Sequence, residues 1–187
     1  MIRTLAPGML VAAPSMTDPR FAKSVILLAE ASEDGALGFV INRHTPYTFA
    51  DLASDIGFDL APAVESRSVH YGGPVNPERG WVLFRGNSDG DDDSVLEVAP
   101  GLHLAATLEV LGDFVTAKTE QPFRLLLGYS GWAPSQLEDE LKEGAWLPLE
   151  LDDELIFDTP LDERWASALA KLGVEPHMFI AGGGGSA

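Results

Sequence analysis

No cysteine occurs in the 187 residues. Its absence removes disulfides, thiolate nucleophiles, iron–sulfur ligation and cysteine-based zinc sites, and it suits a reducing compartment. Histidine is scarce as well. His44, His70, His103 and His177 share no i, i+4 spacing that would set two imidazoles on one helical face as metal ligands. No metal site and no cofactor are expected. Positive charge is thin: 12 Lys and Arg stand against 29 Asp and Glu, a formal net charge of −17. The cations are scattered singly, so no basic stripe is available to grip a phosphate backbone, and direct nucleic-acid contact is disfavoured. The surplus of acids favours solubility and repels anionic partners. No apolar run reaches the ~18 residues of a membrane helix. The opening stretch, MIRTLAPGMLVAAP, is broken by Pro7, Gly8 and Pro14 and reads as a strand, not a secretory leader. These absences together predict a cytoplasmic protein without membrane attachment.

What is present is enough apolar material for one core. The hydrophobic content is 45%, which at this length suits a single domain, placed at residues 1–181, with a flexible Gly-rich tail at 182–187. Residues 25–31 (VILLAEA) and 36–42 (ALGFVIN) flank Ser32-Glu33-Asp34-Gly35, which predicts a hairpin. Thr48 with Asp51 three residues on predicts a capped helix over 49–56 that ends at Gly57. Short strands are expected at 68–71, 81–85 and 95–98, and a near-continuously apolar central strand at 123–128 (FRLLLG). Leu104, Leu108, Leu111 and Val115 fall on one helical stripe. Ser135 with Glu138 has the form of a capping box that opens a helix to about residue 143. Thr159-Pro160 with Asp162 repeats that start signal for a helix whose apolar face is Trp165, Leu169 and Leu172. Hairpins interleaved with a few helices predict an α+β fold on a mixed sheet.

Four constellations invite chemistry. Gly128-Tyr129-Ser130-Gly131-Trp132 follows the strongest strand and precedes a helix, the context of a nucleophile elbow, but the pattern G-x-S-x-G is broken by Trp132. The expectation is a tight turn fixed by Gly128 and Gly131. His70 is the candidate base for such a serine. Gly72-Gly73-Pro74 resembles an anion nest, yet no phosphate-binding lysine follows it and Pro74 has no N–H, so a turn between strands is expected. Residues 89–93 (DGDDD) fail as a calcium loop, since the sixth and twelfth positions from Asp89 are Ser94 and Pro100. Residues 135–163 hold eleven acids and one base, Lys142, which reads as a wet face or as a docking face for a basic partner.

Several phrases in order carry a family resemblance. They are residues 10–14 with Asp18-Pro19-Arg20-Phe21, GALGFVINR at 35–43, GGPV at 72–75, GYSGW at 128–132 with Gln136-Leu137-Glu138, Ala145-Trp146-Leu147, and Arg164-Trp165. Together, from about residue 10 to 174, they resemble the bacterial AlgH/YqgE family. The resemblance implies a single α+β domain with a mixed, bifurcated, partly barrel-like sheet flanked by helices, and a cytosolic location. It also carries a regulatory label, tied to alginate synthesis and to transcription, but no reaction. This chain departs from the family pattern at Ala31, where a histidine often follows the glutamate, and in the 182–187 tail, which has no histidine.

The reading that follows is a non-catalytic regulatory module acting on an unidentified protein or small-molecule partner. Its expected pocket comprises Asn42, Arg43, Gly72, Gly73, Tyr129, Ser130 and Trp132, with no catalytic residue. The alternatives are a transcriptional regulator in line with the family label, and a hydrolase using Ser130 and His70.

Overall fold

The computed structural model describes residues 5–86 and 94–175. The described strands, in chain order, are β1 (Gly8–Ala12), β2 (Val25–Ser32), β3 (Gly35–Val40), β4 (His44–Thr48), β5 (Ser68–Tyr71), β6 (Val75–Arg85), β7 (Val95–Ala99), β8 (Leu102–Ala105), β9 (Phe123–Trp132) and β10 (Trp146–Leu149). The helices are α1 (Ala53–Ile56), α2 (Pro62–Glu65), α3 (Leu108–Val115), α4 (Gln136–Lys142) and α5 (Arg164–Lys171), with a 3₁₀ turn at Ala50–Leu52 and a π-helical turn at Glu154–Asp158. The fold is α+β. None of the described helices is long and apolar enough to cross a membrane.

The chain forms two compact units. One is built from its flanks, through Asn42 and again from Gly131, and the other from residues 43–130.

In the first unit the strand order is β10-β1-β2-β3, antiparallel throughout. The run Val25 to Ala29 is buried at every position, because β2 has β1 on one side and β3 on the other and is covered on both faces. A bulge between Leu28 and Glu30 breaks the ladder and leaves Glu30 exposed beside buried Ala29. Ser32 pairs with Gly35, so the hairpin closes over the two residues Glu33 and Asp34. Gly35 adopts φ +133°, and a Cβ there would lie 2.4 Å from the Trp132 carbonyl oxygen, so only glycine fits. Helix α5 packs on β1 and β2 through Ala168 and Leu169, and the Trp165 indole donates to the Ala12 carbonyl at 2.8 Å. Arg164, 1% exposed, donates to the carbonyls of Thr159 and Ile41.

The second unit holds the sheet β7-β8-β6-β9-β5-β4, in which β9 and β5 run parallel and the other pairs antiparallel. Its core is aromatic at the centre. Phe114 from α3 lies 5.0 Å from Phe84 and 4.7 Å from Phe123, ring centre to ring centre, and Val69, Val82 and Leu125 surround them. Arg67 covers the Phe123 ring at 4.2 Å and donates to its carbonyl. Thr48 and Asp51 bond to each other as expected, the Asp51 carboxylate accepting from both the Thr48 N–H and hydroxyl at 2.8 Å, but the segment they open is the 3₁₀ turn Ala50–Leu52 followed by the single turn of α1, not one helix over 49–56. Gly57 ends the segment at φ +74°.

Several local expectations are corrected. Leu104 belongs to β8, not to the helical stripe, because the Pro100-Gly101 turn makes a β7–β8 hairpin and Thr107 caps α3 afterwards. Ser135 does not cap α4 with its side chain: it takes φ +66°, and the Gln136 side chain accepts from the Ala133 N–H instead. Thr159 does not open α5. Its hydroxyl donates to the Glu154 carbonyl and closes the π-helical turn, so the helix starts at Arg164. The segment Gly128 to Trp132 is no tight turn either. The chain stays extended through Trp132, because β6 bulges between Val75 and Gly80 and Gly128, at φ +71°, absorbs the irregularity inside β9. The acidic 89–93 stretch, His177 and the 182–187 tail lie outside the described residues.

Candidate functional site

Four of the seven residues singled out from sequence meet in the second unit, and their meeting is a backbone contact. Gly72 donates its N–H to the Leu127 carbonyl at 2.7 Å. A Cβ on Gly73 would lie 2.1 Å from the Tyr129 carbonyl carbon and 2.5 Å from the Ser130 nitrogen. One on Gly128 would lie 2.3 Å from the Gly73 carbonyl oxygen. The Gly72-Gly73 and Gly128-Tyr129-Ser130 segments thus cross at main-chain distance, which explains their glycines by clearance and not by anion binding. Ser130 is fully buried, with its hydroxyl 3.5 Å from the Gly72 carbonyl oxygen. Tyr129 is half-buried and meets Trp81 edge to face at 6.2 Å. Arg43, also in this unit, accepts the Tyr71 N–H on its carbonyl at 3.0 Å.

His70 pairs with Leu126 across β5 and β9. Ser130 lies four residues further along β9, beyond the left-handed Gly128, and its hydroxyl meets the Gly72 carbonyl two residues past His70. With the serine hydroxyl aimed at Gly72, these two side chains do not form a nucleophile–base pair. His103 is buried against Phe84, ring centres 5.1 Å apart, and its Nε2 lies 3.0 Å from the Gly86 carbonyl oxygen. His44 is exposed. Among the described residues no group of three or more His, Asp or Glu is placed to hold a metal ion.

Asn42 and Trp132 belong to the first unit. Asn42 is a strap: its Oδ1 accepts from the Val25 N–H and its Nδ2 donates to the Lys23 carbonyl, both at 2.8 Å. Trp132 instead walls a cleft of about 570 Å³ at the turn end of the β2–β3 hairpin. Ala6, Pro7, Ala29, Ala31, Ala36 and Leu37 supply its apolar lining. Glu30, Ser32 and Asp34 supply its polar groups. The tryptophan is held from behind, where its indole N–H donates to Glu140 Oε2 at 2.9 Å. Its benzo edge lies over Gly38, where a Cβ would come within 3.3 Å of the ring. The bulge at Leu28/Glu30 turns Glu30 outward, and the two-residue loop carries Asp34. Sequence reasoning placed the hairpin but not this cleft. The signal it passed over is the run of small residues near the hairpin turn, with Ala31 paired opposite Ala36 and Ala29 in the bulge, which leaves room where larger side chains would fill it.

A family model described as AlgH-like (DUF179) matches residues 9–177. The chain belongs to the AlgH-like family. The motif resemblance is thereby met across nearly the whole chain. A UPF0301 protein of Anaeromyxobacter sp. (strain Fw109-5) is 48% identical, over 97% of this chain and 95% of its own. A UPF0301 protein of Myxococcus xanthus (strain DK1622) is 40% identical, over 98% and 99%. Among solved structures, the solution structure of the AlgH protein from Pseudomonas aeruginosa is 36% identical and superposes with a TM-score of 0.77, over 97% of this chain and 96% of that one. The crystal structure of a Corynebacterium diphtheriae protein, 26% identical, superposes at 0.67 over 89% and 86%. This AlgH-like chain therefore shares the α+β fold of those structures.

Proposed function

We propose that this AlgH-like chain is a non-catalytic, cytoplasmic binding module, regulatory in role, whose ligand sits in the cleft at the β2–β3 hairpin. The observation that carries the reading is the cleft: about 570 Å³, open to solvent, lined by polar and apolar groups in similar share, with a tryptophan fixed by its indole N–H. That size and composition match a small-molecule or peptide-side-chain site. The hydrolase alternative loses support from the His70–Ser130 register, and a direct grip on DNA is opposed by the net charge of −17.

The test is a fragment screen read by amide chemical shifts on the intact chain, repeated on Ala36→Phe, which fills the cleft. Ligands are expected to shift amides around residues 29–37 in the parent and to lose that effect in the variant, with the variant's melting profile as the folding control. Hits that shift amides elsewhere and ignore the variant would overturn the reading.

A further inference from the structure

Resting on the cleft reading, we propose that its ligand is cationic: an ammonium or guanidinium group on a short aliphatic stem, as a lysine or arginine side chain of a partner polypeptide presents it. The cleft has carboxylates at Glu30 and Asp34, and among the described residues no cation lines it. Elsewhere in the chain, carboxylates within reach of a cation take it: Asp18 pairs with Arg20, Asp113 with Lys118, Asp139 with Lys142, and Asp152 with Lys171. Among the described residues Glu30 and Asp34 take no such partner. The third polar group, the Ser32 hydroxyl, is engaged within the hairpin, receiving the Asp34 N–H at 3.2 Å and lying 3.5 Å from the Gly35 carbonyl oxygen. It holds the loop and offers a ligand little.

The remaining lining fits the stem of such a side chain. Lysine and arginine carry a methylene chain that packs on apolar surface while the charged head stays with polar groups. Ala29, Ala31, Ala36 and Leu37 provide that surface, and Trp132 adds an aromatic wall with affinity for a nearby cation. The field of the whole chain has the same sign. A formal charge of −17 raises the local concentration of cations and steers a basic partner inward. The same charge opposes a second copy of this chain as the occupant.

The probe is a blocked Ala-Lys-Ala tripeptide, titrated into the full chain and followed by amide shifts, with its norleucine counterpart as the uncharged isostere. The lysine peptide is expected to shift amides of residues 29–37 at low salt and to weaken as salt is raised. Glu30→Gln and Asp34→Asn should each weaken binding about two- to five-fold, the range of exposed ion pairs, with unchanged melting profiles. Equal binding of the norleucine peptide at those amides would overturn the cationic assignment and leave the cleft reading standing. Absence of any shift there with the lysine peptide would overturn the assignment also, and the Ala36→Phe screen then judges the cleft reading by itself. Binding of free 1,5-diaminopentane as tight as that of the lysine peptide would overturn the polypeptide source.

Discussion

Trp132 and Trp146 share a single acceptor. Both indole N–H groups donate to Glu140 Oε2, at 2.9 and 2.7 Å, and the rings meet edge to face with centres 6.0 Å apart. Both rings are buried. One carboxylate from α4 therefore fixes the cleft wall and the first residue of β10 together. Glu140→Ala removes the acceptor from two buried donors and should cost about 2–4 kcal/mol, since each stranded group carries a desolvation penalty of about 1–3 kcal/mol. Glu140→Gln keeps one carbonyl oxygen and should cost roughly half as much or less. Urea unfolding followed by tryptophan fluorescence reads both. Equal stability of Glu140→Ala and the parent would mean that the indoles find water.

Two glycines with left-handed or near-left-handed backbone separate steric need from conformational need. Gly73→Ala places a methyl 2.1 Å from the Tyr129 carbonyl carbon, where only main chain can give way. It should cost more than about 4 kcal/mol, in the range of exceptional destabilisation, and prevent the second unit from forming. Gly57→Ala has φ +74° but nothing within 4 Å of the new carbon. It should cost about 1–2 kcal/mol, the penalty of the left-handed conformation alone. Circular dichroism melts of the two variants check the contrast.

Leu126 is 1% exposed at the middle of β9, with β5 and β6 on its two sides. Leu126→Ala should cost about 2–5 kcal/mol, the transfer energy of the lost carbons plus the cavity they leave. Chemical denaturation measures it. A loss under about 1 kcal/mol would mean that the strand's neighbours collapse into the space.

The cap at Thr48 makes one acid-limb prediction. The Thr48 N–H, and secondarily its hydroxyl, holds the Asp51 carboxyl below its ordinary value, against a small opposing effect of burial. A carboxyl whose folded value is depressed stabilises the fold above its unfolded value, near about 4, and that contribution disappears as pH falls through the lower folded value. The Asp51 carboxyl should therefore titrate below about 4 by carbon-detected NMR. Asp51→Asn should flatten the corresponding part of the stability–pH curve. An Asp51 midpoint at or above the ordinary carboxylate value would contradict the cap.

Much of the fold is legible in the sequence where one local rule suffices. The apolar run in β2, the Glu33-Asp34 loop closed by Gly35, and the Thr48–Asp51 cap are each written within a few neighbouring residues. Strands β4 and β10 escape this reading because they are short, carry Pro46 and Pro148, and exist through partners far along the chain, β5 and β1. Ser135 and Thr159 show the opposite failure. Each has the composition of a helix start, and each is overridden by a competing local bond, from Ala133 to Gln136 and from Thr159 back to Glu154. The glycine motifs were visible as motifs, but their reason, two main chains crossing without room for a Cβ, is a contact between residues more than fifty positions apart. The cleft was illegible for a related reason: it is defined by the small side chains that fail to fill it and by Trp132, which reaches the hairpin from the far side of the sequence.

The pairing of β1 with β10 has a consequence for synthesis. A ribosome delivers β1, β2 and β3 early, yet the strand that covers the outer edge of β1 is made only after all of residues 43–130 have emerged. The segment forming the second unit is complete while the first still lacks an edge strand, the two indoles' shared acceptor and the helix α5. Closing a sheet across so many intervening residues is entropically slow and leaves an unpaired strand edge in the meantime. A nascent chain stalled before residue 146 should thus be more prone to capture by edge-binding chaperones than one in which β10 has paired, and emergence of β10 through α5 should end that vulnerability.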